Sequence, residues 1–354
     1  MIFSLEALQA FHGDSLLLHV DDRLALIDGG PVRTWATSLR PRLDQLKGDR
    51  EALSIDLAMV SHIDDDHIHG LTDLGGAMVE LAEDQRARPY EIADLWHNAF
   101  DDVLGNRASE VPRAGAPVVA SVAQGRTLRD QAVRLGWARN EAFGGALVAG
   151  PREVPFGGAT LTVVAPDTGA LERLDAEWED YVARHPAPAQ VAEYADRSVF
   201  NLSSIVVLAE AAGKRMLLCG DARGDHVLRG LEAAGKLAAG GSLALDVLKL
   251  PHHGSIRNVE ADFFERLPAR HYVISADGRD GNPETATLDA IAASRADDDF
   301  TIHLTNREGK LDLAQRLDAF LAARDAAGRR FGVSFRDPAA LGLRVDLADP
   351  PEDA

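Results

Sequence analysis

A single cysteine, Cys219, stands in 354 residues. No disulfide can close within the chain, and a zinc site built from several thiolates is excluded. Long apolar runs are missing too. No stretch reaches the eighteen or so residues that a membrane-crossing helix needs. The N-terminus, Met1-Ile2-Phe3-Ser4-Leu5-Glu6, has no basic segment leading into an apolar one, so it does not read as a secretory leader. The cytoplasm is the expected location, with no membrane partner. Basic side chains are outnumbered: 37 lysines and arginines face 56 acidic residues, a formal net charge of −19. Such a surface repels nucleic acid at long range and disfavours broad, non-specific gripping of a polyanion. It does not exclude a nucleic-acid substrate, because bound cations and a local basic patch can reverse the field inside a cleft. Internal repeats, low-complexity tracts and a recognisable linker are also lacking.

What is present is an ordinary globular composition, 46% hydrophobic and 26% charged, in a chain long enough to bury a large core unaided. Ser15 to Val20 and Leu24 to Ile27 are apolar runs separated by Asp21-Asp22-Arg23, which predicts a hairpin. Asp28-Gly29-Gly30-Pro31 stops it. Residues 33–48 read as helix and Leu53 to Val60 as a buried strand. Residues 72–150 read as mixed helix and loop. Ala159 to Ala165 is a strand, and 169–196 a polar helical stretch. Ser203 to Glu210 and Arg215 to Leu218 form a second hairpin turned by Ala212-Gly213. Strands follow at Leu245 to Leu250, Tyr272 to Ser275 and Thr301 to Leu304, with a helix over 284–294. A terminal helix is expected over 311–326.

Chemistry concentrates where the strand ending at Val60 stops. His62-Ile63-Asp64-Asp65-Asp66-His67 offers four potential ligands within six residues: His62, Asp64, Asp66 and His67. No helix or regular strand turns all four the same way, whereas a loop can wrap them around one or two cations. Alone, the run reads equally well as a solvated acidic loop. Three further segments end or open apparent strands with ligand-type residues. Gly220-Asp221 follows Leu217-Leu218-Cys219. Pro251-His252-His253-Gly254-Ser255 follows Leu248-Lys249-Leu250. Phe200-Asn201-Leu202-Ser203-Ser204 opens the strand before Asp221. Strand ends converging on one edge of a β-sandwich would make a dinuclear site.

The order HxDxDH, NxxS, GD, HHGS resembles the metallo-β-lactamase superfamily. Within it, the chain is most similar to the soluble domain of the ComEC-type DNA-uptake proteins. Gly13-Asp14-Ser15, Ile27-Asp28-Gly29-Gly30, Val273-Ile274-Ser275 and Gly281-Asn282-Pro283 extend the resemblance over residues 10–310. It implies an α/β fold, a four-layer αβ/βα sandwich in one domain over 1–347. A variable helical insertion over 100–200 would act as a lid, and 348–354 would be a disordered tail. It implies His62 and Asp64 on a first metal, Asp66, His67 and His253 on a second, and Asp221 bridging. Asn201 stands where many relatives carry a third histidine, and Asp64 where the commoner motif has histidine. The first position is thus oxygen-rich. One or two divalent ions are implied, zinc or manganese first, with magnesium also compatible.

A cation of this kind makes a metal-bound hydroxide available near neutral pH and polarises a phosphoryl or carbonyl oxygen. Asp66 would both ligate and orient the nucleophile. His252 would contact substrate or protonate the leaving group, or else orient a ligand. Ser255, Asn282 and His69 are candidate substrate contacts, Ser255 equally a cap for the next segment. His97 reads as a hydrogen-bonded core histidine and is the first substitute should Asn201 not ligate. Asp14 and Asp28 read as residues that fix turns beside the site. The function implied is a metal-dependent phosphodiesterase or nuclease. The acidity favours a cyclic nucleotide or short oligonucleotide over long duplex. Hydrolysis of a small ester, lactone or thioester is an alternative. A metal-holding binding module without turnover is another.

Overall fold

The computed structural model describes residues 1–98, 117–172, 203–260, 262–295, 299–328 and 330–347. Asn201, residues 100–116 and 173–200 of the expected lid, and the tail 348–354 lie outside the described residues.

Two mixed sheets form the centre. The first has the strand order β15-β1-β2-β3-β4-β5-β6. Its strands are β1 (Phe3–Leu8), β2 (Leu16–Val20), β3 (Arg23–Ile27), β4 (Leu53–Met59), β5 (Tyr90–Trp96), β6 (Ala138–Arg139) and β15 (Gly342–Asp346). The second runs β14-β13-β12-β11-β10-β9-β8-β7. Its strands are β7 (Glu153–Phe156), β8 (Ala159–Ala165), β9 (Val206–Ala211), β10 (Lys214–Leu218), β11 (Leu245–Lys249), β12 (Ala269–Ile274), β13 (Thr301–Leu304) and β14 (Gly332–Phe335). Both sheets share one plan: four antiparallel strands, β15-β1-β2-β3 and β7-β8-β9-β10, followed by parallel strands. The chain that shows no sequence repeat thus builds the same strand arrangement twice.

Helices α1 (Arg40–Lys47), α2 (Asp65–Glu83) and α3 (Pro117–Leu135) accompany the first sheet. Helices α4 (Gly224–Ala233), α5 (Phe263–Arg266), α6 (Thr285–Ser294) and α7 (Leu313–Ala326) accompany the second. Three apolar cores result. Leu43, Leu71, Leu74 and Leu128 pack with Leu17 and Leu26 on one outer face. Leu231, Phe264, Ile291 and Phe320 pack with Leu208 and Leu217 on the other. Leu16, Leu18, Ala25, Ile27, Val207, Met216 and Leu218 fill the space between the sheets. Successive strand residues therefore serve different cores, which is why these strands read as continuous apolar runs rather than alternating ones. Each fully buried Leu, Ile or Phe side chain contributes about 1.5–3 kcal/mol. The layering is helix, sheet, sheet, helix, a four-layer αβ/βα sandwich. Among the described residues no helix is long and apolar enough to cross a membrane.

Both expected hairpins form, β2–β3 around Asp21 and Asp22 and β9–β10 around Ala212 and Gly213. Four expectations need correction. The stretch 33–48 opens as a wide helical turn, Trp35–Leu39, before α1. Residues 72–150 contain the buried strand β5, whose polar Glu91 and Asp94 masked it. Helix α7 is not terminal: β14 and β15 follow, and β15 returns to pair antiparallel with β1. The HxDxDH run is not all loop, because Asp65 begins α2 and places Asp66 and His67 in its first turn.

Candidate metal centre

Strand ends β3, β4, β10 and β11 meet at one edge where the sheets face each other. β4 runs through Val60 and Ser61 to His62. β11 runs through Leu250 and Pro251 to His252 and His253. The backbone is forced there: Asp28, His252 and His253 all have left-handed φ, at 59°, 47° and 55°. Such conformations cost non-glycine residues about 1–3 kcal/mol each and persist only where the surroundings fix them. Gly220 (φ 50°) lets the two halves touch, since a Cβ there would lie 2.8 Å from that of Ser61.

Asp221 is the centre of the cluster. Its Oδ1 lies 3.2 Å from His67 Nε2 and 3.6 Å from His253 Nε2. Its Oδ2 lies 3.6 Å from His252 Nε2 and 3.9 Å from His62 Nε2. Asp66 Oδ2 stands 3.3 Å from His253 Nε2 and 3.9 Å from His67 Nε2. Asp64 reaches His62 Nε2 at 3.3 Å. Four donor groups of three follow among the described residues: His62–His67–Asp221, Asp66–His67–His253, Asp14–Asp28–His67 and Asp14–Asp221–His253. Asp64 belongs to none of the groups of three among the described residues.

The donor set fits a divalent cation. His62 Nε2, His67 Nε2, His253 Nε2 and Asp221 Oδ1 are buried with no hydrogen-bond partner among the described residues. Four convergent polar atoms left unpaired would be costly without a ligand. Their separations bracket the roughly 3.4 Å expected for neighbouring ligands on a tetrahedral zinc-like ion.

The ring orientations fit as well. His67 Nδ1 lies 2.7 Å from Asp28 Oδ2, and Asp28 in turn accepts from Ser61 N and Ser61 Oγ, both at 2.7 Å. His253 Nδ1 donates to the Ser275 carbonyl at 3.0 Å. Donation from Nδ1 leaves a lone pair on Nε2, the atom that faces the cluster. His252 is held likewise. Asn258 Nδ2 donates to the Asp221 carbonyl at 3.2 Å, so its Oδ1 accepts from His252 Nδ1 at 2.8 Å. Unlike the buried rings of His62 and His67, the His252 side chain is 34% exposed. It is the imidazole open to an incoming molecule.

The charges balance inside the cluster. Burial opposes ionisation of Asp221 and Asp66, yet the neighbouring imidazoles outweigh it and hold both carboxyls below their ordinary values. Burial likewise opposes protonation of His67 and His253, but Asp221 with Asp28 or Asp14, and Asp66, raise them above the ordinary histidine value. A bound cation would take over the role of those protons.

Other expected contacts lie elsewhere. His69, on α2, faces Asp65 at 2.8 Å and Gln124 at 3.1 Å, and joins α2 to α3. Ser255 donates to Glu284 Oε1 at 3.2 Å, which ties the loop to the start of α6. Asn282 donates to the His252 carbonyl at 3.3 Å and is buried, so it supports the loop. His97 is a buried core histidine at the Gly125 backbone, as expected, and it joins no donor group among the described residues. Burial, with Arg139 nearby, pushes it down to about 4. The reading of Asp28 as a turn residue understated it, since it orients His67. Its place directly after a buried strand, at the edge shared with the ligand-type residues, was the signal for that role. Ser61, Asn258 and Lys249 were not anticipated.

No family model matches the chain, and no curated protein matches it. Solved structures do. Zn(2+)-bound PqqB from Methylobacterium extorquens is 13% identical, with a TM-score of 0.40, covering 95% of this chain and 88% of that one. The MIM-2 metallo-β-lactamase is 15% identical, with a TM-score of 0.33 and 90% of each chain covered. CmlA, a diiron β-hydroxylase from Streptomyces venezuelae, is 11% identical, with a TM-score of 0.39, covering 98% of this chain and 54% of that one. Likenesses this loose carry no residue role or activity to this chain. The αβ/βα layering seen in its own sheets is that of the metallo-β-lactamase fold.

Proposed function

We propose that the protein is a metal-dependent hydrolase acting on phosphodiesters. The observation that carries the reading is the meeting of three buried, unpaired imidazole nitrogens and one carboxylate oxygen in two donor groups that share His67. Because His67 Nε2 has a single lone pair, it would serve one ion only, either with His62 and Asp221 or with Asp66 and His253. Asp64, beside His62, adds an oxygen donor to the first. When bound, such an ion lowers the pKa of water toward neutrality and polarises a phosphoryl or carbonyl oxygen.

The chain's own groups supply the rest. Asp28 fixes His67 through Nδ1, and the Ser275 carbonyl fixes His253. Asp66, a quarter exposed, is open enough to accept a proton from water and orient it. His252 Nε2 lies on the exposed side of the cluster; when the ring is doubly protonated, Nε2 can give its proton to a leaving oxygen and regain one from solvent. Asn258 holds the proton on Nδ1 throughout, so Nε2 is the nitrogen that loses and regains its proton. The choice of phosphodiester over ester or lactone rests on the motif order, which resembles that of the ComEC-type domain.

The test is metal reconstitution. Protein stripped by chelator is reloaded separately with zinc, manganese or magnesium. Each form is assayed on a generic phosphodiester, single-stranded DNA, duplex DNA, RNA, a cyclic nucleotide and a simple lactone. Expected is phosphodiester cleavage that requires metal and disappears in His67→Ala and Asp221→Ala, with the fold retained. Lactone cleavage without phosphodiester cleavage would move the assignment to a small-ester hydrolase. Full activity of Asp221→Ala would remove Asp221 from the site.

A further inference from the structure

Beside the metal centre stands a guanidinium that no carboxylate neutralises. Arg279 lies on the loop after β12 and is exposed. Among the described residues its side chain makes one hydrogen bond, from Nη1 to His12 Nε2 at 2.9 Å, and no ion pair. The nearby Asp277 directs Oδ1 to the Arg279 backbone N–H at 3.0 Å rather than to the guanidinium. This is notable where acidic residues outnumber basic ones by 19 and where Arg42, Arg229, Arg266 and Arg344 all have carboxylate partners.

His12 is fixed to the metal loop. Asp14 N donates to the Asp66 carbonyl at 3.2 Å, and Gly13 packs so closely that a Cβ would sit 1.9 Å from that oxygen. His12 is near enough to Asp66 and His253 to feel their charges. Because its Nε2 accepts from Arg279, the proton of the neutral ring is on Nδ1. That atom is buried and has no partner among the described residues. On the other side of the same loop, the Arg33 guanidinium lies 5.2 Å over the Phe11 ring, again without a carboxylate partner among the described residues. The loop that carries His12 thus meets two guanidiniums, Arg279 at His12 and Arg33 at Phe11.

We infer that Arg279, held by His12, is an anion subsite that takes a phosphoryl group of the substrate adjoining the bond to be cleaved. The fork of guanidinium donors matches phosphoryl oxygens. The inference rests on the hydrolase reading and narrows its substrate to one with a flanking phosphate, such as an oligonucleotide. His12 is a positioning residue, acting through Arg279.

The test uses the zinc- or manganese-loaded protein and inorganic phosphate as probe, titrated by calorimetry into wild type, Arg279→Met, Arg279→Lys and His12→Ala. Metal content is measured in each. Expected is phosphate binding weakened about tenfold in Arg279→Met, partly restored in Arg279→Lys, and weakened less in His12→Ala, with metal content unchanged. In parallel, Arg279→Met should raise KM for a 5′-phosphorylated dinucleotide by a larger factor than for bis(p-nitrophenyl) phosphate, which has no flanking phosphate. Arg279-dependent phosphate binding without any phosphodiester cleavage would keep the subsite and sink the hydrolase reading. Metal-dependent cleavage with phosphate binding within twofold of wild type in Arg279→Met would overturn the subsite and leave the hydrolase reading standing.

Discussion

Lys249 and Asp14 form an ion pair at 2.7 Å with side-chain exposures of 0% and 1%. Lys249 Nζ also donates to the Leu250 carbonyl at 3.0 Å, and Asp14 Oδ1 lies 3.7 Å from His253 Nδ1. Replacing Lys249 by Met preserves volume and removes the charge, which leaves Asp14 buried without its cation. Breaking a buried pair in this way costs about 3–5 kcal/mol. Lys249→Met should therefore show this loss at neutral pH. Adding Asp14→Asn removes the unpaired charge and should recover half or more of the loss at pH 7. The exposed pair Arg23–Asp56, with Arg23 52% exposed, is the control: Arg23→Met should cost less than about 1 kcal/mol. Urea unfolding followed by tryptophan fluorescence at pH 7 measures all of these. A neutral-pH loss in Lys249→Met below about 1 kcal/mol, or no recovery in the double variant, would refute the reasoning.

Asp28→Asn keeps the shape of the His67 partner but not its charge, and metal affinity should fall about 10- to 100-fold with the fold intact. Competition with a chromophoric chelator measures this, and affinity within twofold of wild type would remove the orienting role. His303, paired with His271 at 3.0 Å, is pushed down to about 4 by burial and by His271. A depressed folded pKa gives stability that is present above the unfolded value near 6.5 and lost as pH falls through the folded value. Stability should thus drop by at most about 3 kcal/mol between pH 6.5 and pH 4, and His303→Gln should flatten that slope; a parallel slope in the variant would reject it. Divalent metal at a hundredfold excess over Kd should stabilise the protein by about 2.7 kcal/mol. Equal stabilisation in His67→Ala, read by thermal unfolding, would place the ion elsewhere.

The elements that were legible are those whose residues speak locally. Leu53 to Val60 is a run of buried residues, and the β2–β3 and β9–β10 turns have polar or glycine-bearing sequences that announce them. The edge strands β14 and β15 are short and half-exposed, so neither periodicity nor composition marks them, and the chain was expected to end at α7. The ligand-type residues were legible because they follow buried strands. The residues that hold them were less so. Ser61, Asn258 and Lys249 acquire their roles from partners 33, 37 and 235 positions away, and nothing in their own neighbourhoods distinguishes them from core-lining polar residues. Ser255 and Asn282 were read as substrate contacts from their place in the motif, yet packing directs both side chains to the loop's own support.

The doubled strand plan explains why two similar aspartates do different work. Asp28 follows the last residue of β3, Ile27, directly. Asp221 follows the last residue of β10, Leu218, after two more residues, Cys219 and Gly220. The second carboxylate thus sits in a turn, closed by the Ala222 amide on the Cys219 carbonyl at 3.1 Å, rather than at the strand's end. Gly220 makes that turn possible by letting the chain pass against Ser61. Asp28, at its strand's end, meets Nδ1 of His67 and the Ser61 amide. Asp221, in the turn, meets Nε2 of His67 and His253. The histidines are offset by one residue instead of two, since His62 is the third residue after β4 and His253 the fourth after β11. Neither half holds a full donor set: the first supplies His62, Asp64, Asp66 and His67, and the second supplies Asp221, His252 and His253. The centre therefore exists only when the two sheets are packed face to face. The buried Asp14–Lys249 pair, one residue from each half, sits where that packing decides whether His253 faces the cluster.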